Sequence, residues 1–544
     1  MKVLVIGGVA AGTKVAAKLK REDRSIEVTL ITKSQDISYA GCGLPYYVGG
    51  VIRERGELIV NTPQSFSALT GAEVQTGVEA VAVDFAAKTV SAKKLATGEE
   101  VSYPYDRLVI ATGASPIRPP IEGIDAIGVS YMRTPEDAVS LRSDIEAGNI
   151  KRAAVIGGGF IGLEVAENLA AQGVRVNVVE MAPHILPMYD DEIAGYIENH
   201  LADRGINVMT STKLTAILKD DAGKVAKIQT EKRAIKTDAV IMAVGIRPNT
   251  AFLEGTGLEM EKGAVLVNDR LETNIPDVYA VGDCCLVKNL QTGKPVWSAM
   301  GSTANIAGRI AAQNIAGKKD IPYQGVLGTA VIKLPDLNAG RTGLSEKEAK
   351  AAGIDYVAVM TALNDKAHYY PGSGVFITKM IAEKETMKLL GVQVLGSGEV
   401  DKMIDIAVTA ITLGGTLPTL SQMDLAYAPP FSTAIHPFAA TASILMNKMQ
   451  GEMDSFTPGE FAAGEADGYK IIDCSQAPNP LLNGAPFLDY TTFDEPPAGY
   501  EKDDKLLLVC NKGRRAYLTQ NKLKQMGFTG TKVLEAATSF TKEF

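Results

Sequence analysis

Twice, about 150 residues apart, an apolar run of strand length ends in a glycine turn and passes straight into a helix-like segment. The first is Val3-Leu4-Val5-Ile6-Gly7-Gly8-Val9-Ala10-Ala11-Gly12, followed by the helix-like run Thr13 to Lys20. The second is Ala153-Ala154-Val155-Ile156-Gly157-Gly158-Gly159-Phe160-Ile161-Gly162-Leu163-Glu164, which satisfies G-x-G-x-x-G with Gly157, Gly159 and Gly162. A continuous apolar run reads as a strand buried on both faces, as in a parallel sheet. The glycines turn the chain sharply and let a phosphate approach the unpaired N–H groups and dipole of the following helix. The next strand, Arg175-Val176-Asn177-Val178-Val179, ends at Glu180, 18 residues beyond Gly162. An acidic group there binds a ribose 2′-hydroxyl and favours NADH over NADPH. Two such turns imply two dinucleotide sites on one chain.

The rest of the chain is compatible with that reading. At 544 residues it exceeds one core, and roughly 150 residues per domain gives about three or four domains. Gly is abundant (53 residues) beside only 14 Phe, 18 Tyr and 1 Trp, which points to α/β units with backbone-lined ligand turns. A net charge of −8 counts against a general nucleic-acid binder. The sequence starts at once on a buried strand, so no secretory signal is expected. The uncharged stretch 425–447 carries Pro429, Pro430 and Pro437, against a membrane span. Five scattered cysteines, Cys42, Cys284, Cys285, Cys474 and Cys510, form no disulfide framework. They fit a reducing, cytoplasmic setting with working thiols, and no metal site is expected.

Further motifs follow in a recognisable order. Leu108-Val109-Ile110-Ala111-Thr112-Gly113-Ala114 and Ala243-Val244-Gly245-Ile246-Arg247-Pro248-Asn249 flank the second turn, and Val278-Tyr279-Ala280-Val281-Gly282-Asp283-Cys284 comes after both. With the two glycine turns, these segments resemble the flavoprotein pyridine nucleotide–disulfide reductase superfamily over residues 1 to about 450. The resemblance implies an α/β protein with two Rossmann-like domains. FAD would lie on Gly7, Gly12, Ser38, Thr112, Gly113, Gly282 and Asp283, whose carboxylate would bind a ribityl hydroxyl. NAD(P)H would lie on Gly157, Gly159, Phe160, Ile161, Gly162, Glu164, Glu180 and Gly245. The first motif departs from the pattern at Val9, and the acid expected after the second strand is replaced by Thr32 or Lys33, so Lys33 stands at the adenosine ribose of FAD. The implied boundaries are 1–116 with 250–322 for a discontinuous FAD domain, 117–249 for the NAD(P)H domain and 323–451 for an α+β dimerisation domain of a homodimer.

Ser38-Tyr39-Ala40-Gly41-Cys42-Gly43-Leu44-Pro45-Tyr46-Tyr47 carries one cysteine where disulfide reductases of this kind carry two separated by four residues; Tyr47 stands at the second position. A lone thiol stores oxidation as a mixed disulfide, a persulfide or a sulfenic acid. At a helix start beside an oxidised flavin, its pKa is expected to be lowered. The segment resembles the single-cysteine branch, which contains coenzyme A-disulfide reductases, NADH-dependent persulfide and polysulfide reductases, NADH oxidases and NADH peroxidases. The peroxidases place a histidine where Ala10 stands here, which disfavours that activity. Asp365-Lys366-Ala367-His368-Tyr369-Tyr370-Pro371-Gly372 and Asp424-Leu425-Ala426-Tyr427-Ala428-Pro429-Pro430 resemble the coenzyme A-disulfide reductase subgroup. The resemblance implies that Tyr427, with Tyr369 or Tyr370, reaches the partner's cysteine and protonates a leaving thiolate. Coenzyme A would meet Ala11, Lys18, Arg21, Ser38, Tyr39 and Cys42, although Gly41 replaces the asparagine frequent in the subgroup.

Near the C-terminus, Leu506-Leu507-Leu508-Val509-Cys510-Asn511-Lys512-Gly513-Arg514-Arg515-Ala516 ends a strand in Cys-x-x-Gly-x-Arg and enters a helix. Loop N–H groups aimed at the sulfur would cradle a thiolate or persulfide, with Arg515 adding positive charge. This resembles the active loop of rhodanese domains over residues 469–544, after a linker at 452–468 of Gly, Glu, Ala and Asp. The early Asp-x-Arg of that family is Asp473-Cys474-Ser475 here, and its terminal glycines are Ala536-Ala537. The expectation is an FAD- and NAD(P)H-dependent enzyme reducing sulfur–sulfur bonds of persulfide, polysulfide or coenzyme A-disulfide through Cys42, with Cys510 carrying sulfane sulfur. Cys284, Cys285 and Cys474 are expected to be structural. The competing expectations are an NADH oxidase cycling Cys42 through sulfenic acid, and a low-turnover redox sensor or sulfur carrier.

Overall fold

Both glycine turns join a parallel strand to a helix in the computed structural model, which describes residues 1–317 and 320–544. The chain forms two compact units, 1–185 with 205–326, and 186–204 with 327–544. In the first unit, Lys2–Ile6 is the middle strand of a five-stranded parallel sheet ordered Val278–Ala280, Arg107–Ile110, Lys2–Ile6, Glu27–Thr32, Glu73–Thr76. Val3, Leu4, Val5 and Ile6 are all buried, as an unalternating apolar run requires. Arg152–Ile156 occupies the same place in a second sheet, ordered Asn207–Met209, Arg175–Val179, Arg152–Ile156, Ala239–Met242, Val129–Ser130. The strand Val278–Ala280 returns to the first sheet after the second is complete, so the first Rossmann-like layer is split in sequence. Ala114–Pro116 and Ile246–Pro248 pair antiparallel at the two crossings, where the hinge strands were expected.

The glycines are set by close backbone approach. A Cβ on Gly12 would sit 1.9 Å from Gly7 O, and one on Gly162 would sit 2.1 Å from Gly157 O. Helix and strand therefore touch with no space for a side chain. Gly7 and Gly157 also take positive φ, 113° and 111°, which L-residues disfavour.

In the second unit, a five-stranded antiparallel sheet runs Ala330–Leu334, Leu337–Gly343, Leu389–Gly396, Val375–Glu383, Tyr356–Asn364. The C-terminal residues form a parallel four-stranded sheet, ordered Ser455–Phe456, Thr531–Leu534, Leu506–Val509, Lys470–Asp473. Two expectations are corrected here. Residues 452–468 are not a free linker. Ser455–Phe456 pairs with Val533 and Leu534 as an edge strand, Phe456 is buried, and Thr457 caps the helix Pro458–Ala462. The second correction concerns the helix Asp191–Asp203, expected within the 117–249 domain, which instead belongs to the second unit.

A buried cation explains that assignment. Lys379 is fully buried on the interior strand Val375–Glu383, and its ammonium pairs with Asp190 at 3.0 Å and also with Glu192 and Glu346. Burial alone would lower its pKa; Glu192, Asp190 and Glu346 together outweigh that and raise it. Gln393 Nε2 donates to Asp190 Oδ2 at 2.6 Å, and Asp190 N donates back to Gln393 Oε1 at 3.0 Å. Lys379→Met leaves the buried Asp190 and the half-buried Glu192 and Glu346 without a counter-charge and is expected to cost about 3–5 kcal/mol. Glu346, already raised by burial against the lowering charge of Lys379, would then be raised further, so the stability tied to its proton is present below about pH 4.5 and lost as pH rises. Melting curves at pH 5 and pH 7.5 check this: the deficit against the parent should be smaller at pH 5.

Candidate active site

Cys42 lies on a one-turn 3-10 helix, Gly41–Gly43, that leads into the short helix Leu44–Val48 with Pro45 in its first turn. The buried faces of Leu44, Pro45 and Tyr47 fix that helix while Cys42 stays exposed. Its C-terminal end is clamped from outside. Arg142 donates to the carbonyls of Tyr47, Ile52 and Arg53, with its guanidinium 4.6 Å from the Tyr47 ring centre. Ser38 takes a left-handed φ of 48° and donates its N–H to Gly8 O at 2.9 Å, tying the cysteine segment to the first glycine turn. Tyr39 bridges to Ile59, and burial raises its phenol pKa.

The protein's own groups push the thiol pKa up; the lowering expected from sequence is one that an oxidised flavin beside Cys42 would supply. Surrounding protein desolvates it, and the carboxylates of Glu164 and Asp283 raise it further, with Arg133 opposing them. Glu164, on the helix Phe160–Ala171, has its pKa raised to about 7, first by burial and then by Glu167. Tyr46 donates its hydroxyl to Glu164 Oε1 at 3.4 Å and is itself pushed up to about 12, mainly by burial. Asp283 is raised by burial and lies 3.9 Å from the Arg133 guanidinium. Arg133 and Tyr46 were absent from the expected set. Arg133 carries no motif; it precedes the capped helix Pro135–Glu146, where the Asp137 carboxylate accepts its N–H at 3.0 Å.

The cofactor positions fall into two groups. Around the first turn, the helix Ala10–Glu22 starts at Val9 with no side-chain cap and no acid in its first turn, leaving its N–H groups open to an anion. Gly282 takes a φ of 80° with Ala11 beneath it; a Cβ there would lie 3.0 Å from the Ala11 Cβ. Thr112 and Gly113 follow the strand Arg107–Ile110, and Asn249 holds both carbonyls, Nδ2 at 3.0 Å and N at 2.9 Å. An uncapped helix start, a half-buried carboxyl at Asp283 and the tight Gly282 turn fit a flavin dinucleotide in their chemistry. Around the second turn, the helix beginning at Phe160 is likewise uncapped, Ile161 is exposed, and Gly159 has nothing within 4 Å of an added Cβ. Gly245, at a φ of 106°, follows the strand Ala239–Met242. Glu180 caps the turn itself: its carboxylate accepts Gly158 N at 2.6 Å and Ala182 N at 2.7 Å.

Three residues expected to meet cofactor or coenzyme A have protein partners here. Lys33 is exposed and paired with Glu79 at 2.7 Å. Lys18 pairs with Glu22 along its own helix, and Arg21 Nε donates to Ala17 O at 3.2 Å. In the second unit, Tyr427 and Tyr369 are exposed and joined by a hydrogen bond, which raises the Tyr427 pKa. Tyr370 instead closes a turn, its N–H donating to Ala367 O at 2.8 Å.

At the C-terminal sheet, Cys510 is buried directly after the strand Leu506–Val509 and accepts one backbone hydrogen bond, from Ala516 N at 3.5 Å. Gly513 takes a φ of 88° at the start of the helix Arg514–Gln525. Arg515 is held by other groups: Nε donates to Cys474 O at 3.2 Å and Nη2 to Asp489 at 2.6 Å. Ala536 and Ala537 adopt φ of 51° and 45°, a backbone that favours glycine, where the resemblance expects glycines.

Residues 1–307 match the family described as pyridine nucleotide-disulphide oxidoreductase, and residues 329–439 match the dimerisation domain of that family. The chain belongs to the pyridine nucleotide-disulphide oxidoreductases. The NADH oxidase of Methanocaldococcus jannaschii is 35% identical over 83% of this chain and 100% of its own length. The NAD(P)H sulfur oxidoreductase (CoA-dependent) of Pyrococcus furiosus is 36% identical over 82% of this chain and 99% of its own. Among solved structures, the NAD-dependent persulfide reductase from A. fulgidus superposes with a TM-score of 0.94 at 36% identity, covering 99% of this chain and 100% of that one. That match includes the C-terminal sheet.

Two measurements probe the oxidoreductase site. Glu164→Gln removes a negative charge that raises the Cys42 pKa, so iodoacetamide should alkylate Cys42 about threefold faster than in the parent at pH 8. Gly159→Ala meets no protein atom, so its melting temperature should match the parent while the KM for NADH rises about tenfold if the dinucleotide passes that turn.

Proposed function

We propose that the protein is a homodimeric enzyme that uses NAD(P)H to reduce the sulfur–sulfur bonds of persulfides, polysulfides or coenzyme A-disulfide at Cys42. The single observation that carries this reading is an exposed lone thiol, Cys42, held beside the first dinucleotide turn by Ser38 with no second cysteine in its segment. The names of the Pyrococcus and A. fulgidus relatives support it.

The uncapped helix starts after Gly7 and Gly157 would hold the pyrophosphates of FAD and NAD(P)H, with Asp283 on a ribityl hydroxyl. When bound, the FAD supplies the two-electron relay between nicotinamide and sulfur. Cys42 thiolate attacks the outer sulfur of the substrate, and the departing thiolate takes a proton from the partner subunit's Tyr427, whose hydroxyl is paired with Tyr369. The geometry favours Tyr369 over Tyr370 for that pairing. Protonated Glu164, with Tyr46, keeps the negative charge around Cys42 low below pH 7. A dimer is supported by the exposed apolar side chains Tyr369, Tyr427, Phe431 and Ile435, all in the second unit. We read the C-terminal module as rhodanese-like, with Cys510 as a carrier of sulfane sulfur; its strand-end position, the Ala516 N–H and the left-handed Ala536-Ala537 support this. The 323–451 segment is read as the dimerisation domain, and the chain as cytoplasmic; no helix of the described residues is long and apolar enough to cross a membrane.

Steady-state assays with NADH test the choice of acceptor. Polysulfide should turn over faster than oxygen, and Cys42→Ser should lose at least about a thousandfold on polysulfide, as removal of a covalent nucleophile does. Faster turnover on oxygen would instead favour the NADH oxidase reading that the Methanocaldococcus relative represents. Tyr427→Phe should lower kcat about tenfold to a hundredfold with KM little changed, the signature of a lost proton donor.

A further inference from the structure

The C-terminal sheet holds a second thiol beside Cys510. Lys470–Asp473 and Leu506–Val509 pair in parallel with Asp473 opposite Val509, and Cys474 N donates to Val509 O at 2.7 Å. One step further along both chains, Cys474 and Cys510 follow side by side. They also share a face, because each lies two residues beyond a buried residue of the same cluster, Ile472 and Leu508. Both are buried beneath the start of the helix Arg514–Gln525: Ala516 N reaches the Cys510 sulfur, and Arg515 Nε holds the Cys474 carbonyl. Neighbouring parallel strands run about 4.8 Å apart, inside the roughly 4.4–6.8 Å Cα spacing that disulfides span. Both thiols are free.

We infer that Cys474 is a resolving thiol for Cys510, closing a Cys474–Cys510 disulfide when Cys510 carries a persulfide. The inference rests on reading Cys510 as a sulfane-sulfur carrier. The Cys474 sulfur attacks the inner sulfur of the Cys510 persulfide, the Cys510 sulfur–sulfane bond breaks, and hydrosulfide leaves. Each cysteine sulfur is oxidised by one electron and the sulfane sulfur is reduced by two, so no outside oxidant is required. The Cys474 thiol proton leaves with the hydrosulfide as hydrogen sulfide. Burial raises the Cys474 thiol to about 12, which keeps it largely protonated and makes closure slow compared with delivery of sulfur to a small thiol. The pair therefore acts on a persulfide that finds no acceptor: it discharges the sulfur and parks the module as a disulfide, which two equivalents of a small thiol reopen.

The test uses the full-chain holoenzyme, reduced, freed of thiol and given inorganic polysulfide without NADH. Peptides are mapped after acid quench under conditions that retain persulfides. In the parent, the peptide bearing Cys510 should first gain one sulfur atom. It should then lose it in step with one equivalent of sulfide and the appearance of a peptide cross-linked from Cys474 to Cys510. Cys474→Ser and Cys474→Ala should keep the added sulfur on Cys510 about tenfold longer or more, with no cross-link. Equal persistence in parent and variants, with no cross-link, overturns the resolving role while leaving the carrier reading intact. Failure of Cys510 to gain sulfur in either Cys474 variant, each melting as the parent does, overturns the carrier reading and this step with it.

Discussion

The close passage of helix over strand at Gly12 and Gly162 is the contact on which the rest depends. With less than 2.2 Å between a hypothetical Cβ and the carbonyl beneath it, no other residue lets the helix start lie so near the sheet. That proximity points the open N–H groups of each helix at the carboxyl edge of its parallel sheet, where ligands of such folds sit. Everything chemical in the first unit gathers around those two edges. Ser38 hangs the cysteine segment from Gly8, Gly282 passes close over Ala11 just before Asp283, and the helix Phe160–Ala171 carries Glu164 toward Cys42.

The electrostatics of Cys42 run opposite to those of a typical activated thiol. Desolvation and two carboxylates disfavour its thiolate, with Arg133 opposing them. Such a site gains from any positive or electron-poor neighbour that arrives with the dinucleotides, and from a proton on Glu164. Reactivity at this cysteine is thereby tied to occupancy and protonation of its surroundings rather than fixed in the protein.

What the sequence discloses depends on whether the physics is local. The glycine turns, the Gly282-Asp283 turn and the Cys42 segment are legible because each needs particular residues at fixed short spacing. The thiol's raised pKa is not, because Glu164 approaches from 122 residues away and Arg133 belongs to no motif. Residues 452–468 look like a linker by composition, yet Ser455 and the buried Phe456 form an edge strand there. Lys18, Arg21 and Lys33 show the converse: basic residues near a phosphate-binding turn engage their own helix or a neighbouring strand. Cys474 reads as a bystander until the parallel register places it next to Cys510.

The membership of the helix Asp191–Asp203 in the second unit changes how the chain can be divided. The polypeptide leaves the first unit after residue 185, returns at 205 and leaves again after 326. A fragment ending near 326 would therefore retain Asp190 and Glu192 but lose Lys379, Gln393 and Glu346, the groups that neutralise and seat them. The two dinucleotide layers are thus not a detachable cassette. A functional excision or fusion of this protein has to keep one lysine on a distant strand together with a helix that sequence order assigns to another domain.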